Sequence, residues 1–408
     1  VWKSLKFEYF LCHHKAGAGA YTRLLKLCLQ ESQRVKRDVF VDADNLDNLD
    51  LLFSYVHNDT ETLVVLASRE IFTRPWCVGE MTVARLHQVK VVVVQMPDFE
   101  EPSEELKADY QHFVPDLQAL ASNNIGLTEI VDTLNWIVHV PRIVVPANVC
   151  LATMGGLVTK LVNKDHNSEV AEAADASSSG EVAMLADADN LEAEASAQVL
   201  RMMILPHMVH VTGLVPSILP RFGPIPREVS TLLLLLSSGC MEKRAFMARM
   251  QACKMVPTVY SVLLDPAFRI PTGAQLADLE REQAEAAQVL RHATQQAALS
   301  FQPMYASDGL LQVNAKELAM RLQNKVHKES TNGRRSPLSS PKPGSTPRNA
   351  GLRLAAAATD SVSKESSEIK GVSAQSTPAV IVSADKVAEL TNAPPAPQML
   401  EAEEDDDD

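Results

Sequence analysis

Polar residues stand directly behind four short aliphatic runs of the chain: Cys12-His13-His14-Lys15, then Asp42 and Asp44, then Ser68-Arg69, then Pro97-Asp98. If those runs are strands of a parallel sheet, these positions are the strand exits, the edge at which open α/β sheets bind ligands. Close behind the third exit comes Arg74-Pro75-Trp76-Cys77-Val78-Gly79-Glu80-Met81. Trp76 and Glu80 are four apart at a helix start and so share one face. A carboxylate at such an edge can stabilise positive charge that develops in a transition state, or hold sugar hydroxyls, as the acids of glycosidases do. Without further context the same residues have plainer readings. Glu80 is then a solvated helix-start residue whose removal leaves stability nearly unchanged, Trp76 a core aromatic, and Asp42 and Asp44 strand-end and turn residues. His13 and His14 are adjacent, so their side chains leave a strand in opposite directions, and no His or Cys cluster has metal-ligand spacing; no metal site is expected. Gly17 and Gly19 begin a GxGxxG-like string upstream of Asp42, but Thr22 stands in place of the third glycine, which leaves a Rossmann-like dinucleotide-binding protein as a minor alternative.

The elements that must position these groups show as an alternation. Phe7 to Cys12 reads as a strand, followed by a helix with Leu24, Leu25, Cys28 and Leu29 at helical spacing. Val39-Phe40-Val41 reads as the second strand, Leu63-Val64-Val65-Leu66 as the third and Val91 to Val94 as the fourth, with helices through Leu51, Leu52 and Tyr55 and from Trp76 to His87 between them. Continuous apolar runs alternating with helices specify a parallel sheet covered on both faces. Residues 101–140 read as mainly helical, with Ile130, Leu134 and Ile137 on one face.

Behind a stretch of linker composition from Asn163 to Gly180, the early pattern returns. Asp187-Ala188-Asp189-Asn190-Leu191 repeats Asp42-Ala43-Asp44-Asn45-Leu46, and Thr231 to Ser237 echoes Thr62 to Ser68. The two echoes lie at different offsets, so a duplication would carry an insertion between them. The expected organisation is an α/β domain over 1–140, a helix and linker over 141–180, a smaller degenerate α/β repeat with C-terminal helices over 181–328, and a disordered tail over 329–408. In the tail, Ser336-Pro337, Ser340-Pro341 and Thr346-Pro347 are open to proline-directed kinases.

Bulk composition narrows the partners. The formal net charge of −13 is concentrated in the block Glu401 to Asp408, so the folded part is only mildly acidic, which argues against nucleic acid. The aliphatic runs are too short to span a membrane. Six cysteines without CxxC spacing read as small buried hydrophobes, which fits a reducing, cytoplasmic compartment. Val1 in place of Met reads as an incomplete N-terminus.

A strand-end acid within Val39-Phe40-Val41-Asp42, an aliphatic strand ending at Ser68 and then Trp76-Cys77-x-x-Glu80, in that order, resemble the TIR (Toll/interleukin-1 receptor) domain family. Phe10-Leu11-Cys12-His13-His14-Lys15, followed by Leu24-Leu25-Lys26, is similar to the first strand, loop and helix of its NAD-cleaving members. The resemblance covers residues 5–98 and implies a flavodoxin-like parallel sheet with helices on both faces. It also implies intracellular signalling by association with other TIR domains, as a homo-oligomer on activation. For the enzymatic members it implies hydrolysis of NAD+ to nicotinamide and ADP-ribose, with NAD+ as substrate and no resident cofactor. The catalytic carboxylate then maps to Glu80, with His13, His14, Lys15, Asp42, Asp44, Ser68 and Trp76 as candidate nucleotide-binding positions in one cleft. Two departures favour the alternative of a non-catalytic TIR scaffold. The segment Asp44 to Leu49 is short and has no glycine. In the second copy, aligning Thr62 with Thr231 carries Trp76 and Glu80 to Ala245 and Arg249, and a shift by one residue gives Phe246 and Met250, so neither register supplies a carboxylate.

Overall fold

In the computed structural model, the described residues are 5–332 apart from 47, 115–116, 175–179 and 209–215. All of them fall in one compact unit, Val1–Leu338. The phosphorylation sites and acidic block expected in the tail lie outside the described residues.

The first half forms a six-stranded sheet from β1 (Phe7–His13), β2 (Asp38–Phe40), β3 (Thr60–Ala67), β4 (Lys90–Gln95), β5 (Arg142–Val144) and β6 (Ser168–Glu169). The order is β2-β1-β3-β4-β5-β6, and every pairing is parallel. The first five strands thus have the flavodoxin-like order, with its topological switch point between β1 and β3. The second half repeats it: β7 (Val182–Leu185), β8 (Ser217–Ile218), β9 (Thr231–Leu236), β10 (Thr258–Leu263) and β11 (Leu299–Ser300) lie in the order β8-β7-β9-β10-β11, again all parallel.

Two sequence expectations change here. The first sheet does not end near residue 140, because β5 and β6 add to it through the region 141–180 expected to be helix and linker. A three-residue and a two-residue strand are too short to leave a periodicity signal. Of the two sequence echoes, Thr62 to Ser68 and Thr231 to Ser237 both fall on the third strand of their sheet, whereas Asp42 follows a second strand and Asp187 a first. The pentapeptide echo is therefore not a structural equivalence, and the insertion called for by the two different offsets disappears.

Helices form the remaining layers. α1 (Lys15–Glu31), α2 (Pro75–Leu86), α3 (Leu127–Ile137) and α4 (Leu151–Asn163) belong to the first half. α5 (Leu191–Met208), α6 (Arg244–Ala252), α7 (Ala284–Thr294) and α8 (Asp308–Asn332) belong to the second. Residues one apart on a strand face opposite sides, so β3 sends Leu63 and Val65 to one core and Val64 and Leu66 to another. The outer core of the first sheet is closed by Cys77 and Met81 of α2 and by Ile130, Leu134 and Ile137 of α3, the three residues expected to share a face. The outer core of the second sheet is closed by Phe246 and Met250 of α6 and Val289 and Leu290 of α7. Between the sheets a single core joins Val64 and Val92 to Leu233 and Val262 through α1, α4, α5 and α8.

α1 lies against α5 in that central layer, and its first turn is broken at Ala18, whose backbone angles (φ −151°, ψ 18°) are not helical. The break leaves amides without intrahelical acceptors. Glu192 of α5 supplies them: its carboxylate oxygens accept from Ala20 N at 2.6 Å and Tyr21 N at 3.0 Å. Beside this contact Gly19 admits Met304 of the second half, since a Cβ there would sit 2.9 Å from Cβ of Met304. Replacing Glu192 by Ala strands these two buried amides, so urea denaturation is expected to show a loss of ~2–4 kcal/mol. A Glu192→Ala protein within ~0.5 kcal/mol of the parent, the scatter of an ordinary surface substitution, contradicts this account of the interface.

Candidate active site

β1 ends at His13, and α1 starts two residues later with His14 as its N-cap, its Nδ1 accepting from Gly17 N at 3.2 Å. Burial first, then the nearby charges of Arg74 and His13, hold His14 down at about 4, so it caps as a neutral ring. His13 is buried; Nδ1 lies 3.0 Å from Leu11 O and Nε2 faces Asp42 Oδ1 at 3.9 Å. Burial lowers its pKa as well. Asp42 opens a helical turn after β2 and pairs with Lys15 at 3.0 Å. Burial works against its charge, but His13, Lys15 and Arg74 outweigh that and hold its pKa below the ordinary carboxylate value.

α2 is set over the end of β1 by its own first turn. Trp76 stacks on Phe53, with ring centroids 5.7 Å apart, and Gly79 admits that ring, since a Cβ there would lie 2.5 Å from it. Cys77 donates its thiol to His13 O at 3.2 Å. Glu80, one turn further, points into the protein. Only 6% of it is exposed, and its Oε2 has no hydrogen-bond partner. Burial raises its pKa to about 8; the Cys12 thiol beside it lowers it and Asp42 raises it further. The expectation that Glu80 is a solvated helix-start residue whose loss leaves stability unchanged is thus corrected. α2 begins at Pro75, which puts Glu80 on the turn that faces β1 rather than on the open first turn.

His13, Asp42, Trp76 and Glu80 line one cavity, together with Arg74, Cys77 and the apolar side chains of Leu46, Leu49 and Leu52. Lys15 joins it through Asp42. Three other candidates stand apart. Asp44 forms a buried cluster with Arg23 and with Lys26 at 2.5 Å, and accepts from Asp308 N at 2.8 Å, tying the β2 exit to the start of α8. His14 is spent on its helix cap. Ser68 is fully buried, close against Gly17, and its hydroxyl lacks a partner. Sequence reasoning passed over Arg74, although its place two residues before Trp76 was a usable signal. No group of three or more His, Cys, Asp or Glu able to hold a metal ion occurs among the described residues.

No family model matches the chain. No curated protein matches it. Among solved structures, a protein assigned as a tagatose-6-phosphate ketose/aldose isomerase from Clostridium novyi NT is similar at 10% identity, over 77% of this chain and 79% of that one, with a TM-score of 0.22. A likeness so slight carries no argument about fold or function.

What the cavity can do follows from its two acids. Asp42 is held ionised and Glu80 is held protonated at neutral pH, so neighbouring carboxylates are pushed into different states, the arrangement that separates acid from base roles in hydrolases. Because Glu80 has a pKa near 8 in the folded chain against an ordinary 4.5, its contribution favours folding fully below pH 4.5 and is lost as pH rises through 8. Glu80→Gln removes the titration while keeping the shape. The variant is expected to exceed the parent in stability at pH 9 by ~4 kcal/mol, with the gap closing toward pH 4, in denaturation curves taken across pH. A gap that does not change with pH refutes the raised pKa.

Proposed function

We propose that this is a TIR-type signalling protein whose first-sheet cavity hydrolyses NAD+ to nicotinamide and ADP-ribose through Glu80. The observation that carries the reading is the buried carboxylate of Glu80, unpartnered at Oε2 and set beside the ionised Asp42 at the carboxyl edge of β1. It stands where the Trp76-Cys77-x-x-Glu80 motif puts the family's acid.

In such a reaction the bond between ribose C1′ and the nicotinamide nitrogen breaks, the electron pair leaves with the ring, and the ring loses its positive charge. The ribose carbon takes up oxocarbenium character, which an ionised Glu80 stabilises. Water then adds to C1′ and releases a proton. The cationic nicotinamide itself draws Glu80 into its ionised form, since an opposite charge close by lowers a carboxylate pKa. Asp42, already ionised, accepts a hydrogen bond from a ribose hydroxyl or from the incoming water. The free volume of the cavity is about 20 Å³, room for a single water and not for a nucleotide. The side chains of Leu49 and Leu52, which line the cavity, must therefore move aside for a nucleotide to enter.

Two observations favour a second reading, a non-catalytic TIR scaffold. The cavity is closed, and the second half has Arg249 where the first has Glu80. Nicotinamide release by the full chain at high protein concentration separates the two. On the enzymatic reading, Glu80→Ala abolishes release, and kcat/KM of the parent rises up to about tenfold per pH unit below pH 8 before levelling, because the protonated acid is inactive. Equal turnover by parent and variant ends the role of Glu80, and no turnover by the parent at any concentration leaves the scaffold. Among the described residues, no helix is long and apolar enough to cross a membrane.

A further inference from the structure

Arg74 lines the cavity and forms no ion pair with Asp42, which pairs with Lys15 instead. Its guanidinium has no hydrogen-bonded or ion-paired partner among the described residues, and the residue is half-buried in the cavity lining. It lies near enough to His13, His14, Asp42 and Glu80 to affect the titration of each, and near enough to Tyr305 of the second half to do the same there. Its position in the chain is costly. Arg74 is the N-cap of α2, where Ser, Thr, Asn or Asp would accept a hydrogen bond from the first turn; an arginine side chain has no acceptor and makes no such bond. The amides of Trp76 and Cys77 consequently stay open, because the first helical bond is Val78 N to Arg74 O. A cation here also meets the positive end of the helix dipole. An unpaired guanidinium, open amides and a helix N-terminus converging on a cavity are compensated together by one kind of ligand, an anion with several oxygens.

The opposite wall of the cavity asks for something else. Glu80, more than nine-tenths buried, presents an oxygen with no partner, and Asp42 is a second acceptor beside it. Those groups call for hydroxyls or positive charge. A ligand satisfying both walls carries a hydroxylated or cationic portion at one end and a phosphate at the other.

We propose that Arg74, with the open first turn of α2, binds the phosphate next to the ribose of a pyridine nucleotide and so selects nucleotides over nucleosides in this cavity. This rests on reading the cavity as a nucleotide site. The guanidinium offers a planar fork that matches two phosphate oxygens, while the amides of Trp76 and Cys77 point at a third. The diphosphate then hangs at the cavity mouth toward Tyr305, with the ribose inward at Asp42 and Glu80.

The test uses the full chain and two measurements. Calorimetric titration with inorganic pyrophosphate at pH 7 reads the anion site without any chemistry. The parent is expected to bind, Arg74→Ala to bind about tenfold or more weakly, and Arg74→Lys to fall between them, because an ammonium cannot fork. Hydrolysis of NAD+, nicotinamide mononucleotide and nicotinamide riboside reads the placement. Arg74→Ala should raise KM for the two phosphorylated substrates by a similar factor, and by about tenfold more than any change on the riboside, which the variant touches only through the titration of Asp42 and Glu80. No pyrophosphate binding by the parent, equal binding by Arg74→Ala, or an equal loss on the riboside each overturns the proposal. If the parent binds pyrophosphate through Arg74 but cleaves none of the three, the phosphate site stands and the hydrolytic reading falls. Arg74→Ala should melt no lower than the parent, since the cation it removes opposes the helix dipole, so a folding defect does not mask the result.

Discussion

The structure depends on one helix serving two sheets. α1 leaves β1 at the edge where the candidate active site lies, and it is also the surface on which the second half is built through α5. A helix packed on both sides has no solvent to satisfy a break in its hydrogen bonding, yet α1 is broken at Ala18. The buried Glu192 resolves this by crossing from the other half to cap the broken turn. Because His14 and Lys15 precede the break and Lys15 holds Asp42 ionised, the geometry of the cavity is tied to the docking of the second half. Asp44 repeats the connection from the other side, linking Arg23 and Lys26 of α1 to the first turn of α8.

Among the described residues, three glutamates share a raised pKa and one main cause, burial: Glu80 at about 8, Glu192 and Glu194 at about 7. A perturbed pKa alone therefore does not mark a site, since structural carboxylates are perturbed too. The distinction lies in what offsets the burial. Glu192 receives amides from Ala20 and Tyr21, and Glu194 receives the amide of Val149. Glu80 has an oxygen with no partner, in a cavity that also holds an ionised acid and an unpaired arginine. A buried polar group left unsatisfied costs stability, and at Glu80 the Cys12 thiol offsets that in part while Oε2 stays without a partner.

Strand order, helix placement and the meeting of Asp42 with Glu80 were legible because each depends on local signals: continuous aliphatic runs, helical spacing, and acids at strand exits. What escaped depends on distant partners. Asp44 reads as a turn residue until Arg23, Lys26 and the amide of Asp308 close around it, the last far along the chain. Glu80 reads as a surface residue because its depth is set by Phe53 packing on Trp76 and Gly79, a contact between elements. The repeat was half legible. The hydrophobic echo marks equivalent strands because their burial is equivalent, whereas the identical Asp-Ala-Asp-Asn-Leu pentapeptides sit in unrelated environments: Asp42 faces Lys15 and His13, and Asp187 accepts from Asp189 N at 3.0 Å.

The equivalence of the halves also shows what was kept and what was not. Aligned on β3 and β9, both halves place a buried serine with an unpartnered hydroxyl at the strand exit, Ser68 and Ser237, then a short helical turn and a helix that starts after a basic residue, Arg74 and Lys243. The backbone frame and the cation at the helix start are therefore common to both. The position of Glu80 is taken by Arg249, which is buried and donates to Gly223 O. An arginine there cannot stabilise positive charge on a ribose, but its hydrogen bond holds the loop that follows β8 against α6. One frame thus carries a buried, unpartnered acid in one half and a tie in the other. The half that keeps the acid is the half whose first helix is clamped by its neighbour, and in the neighbour the residue at the acid's position is used to hold a loop.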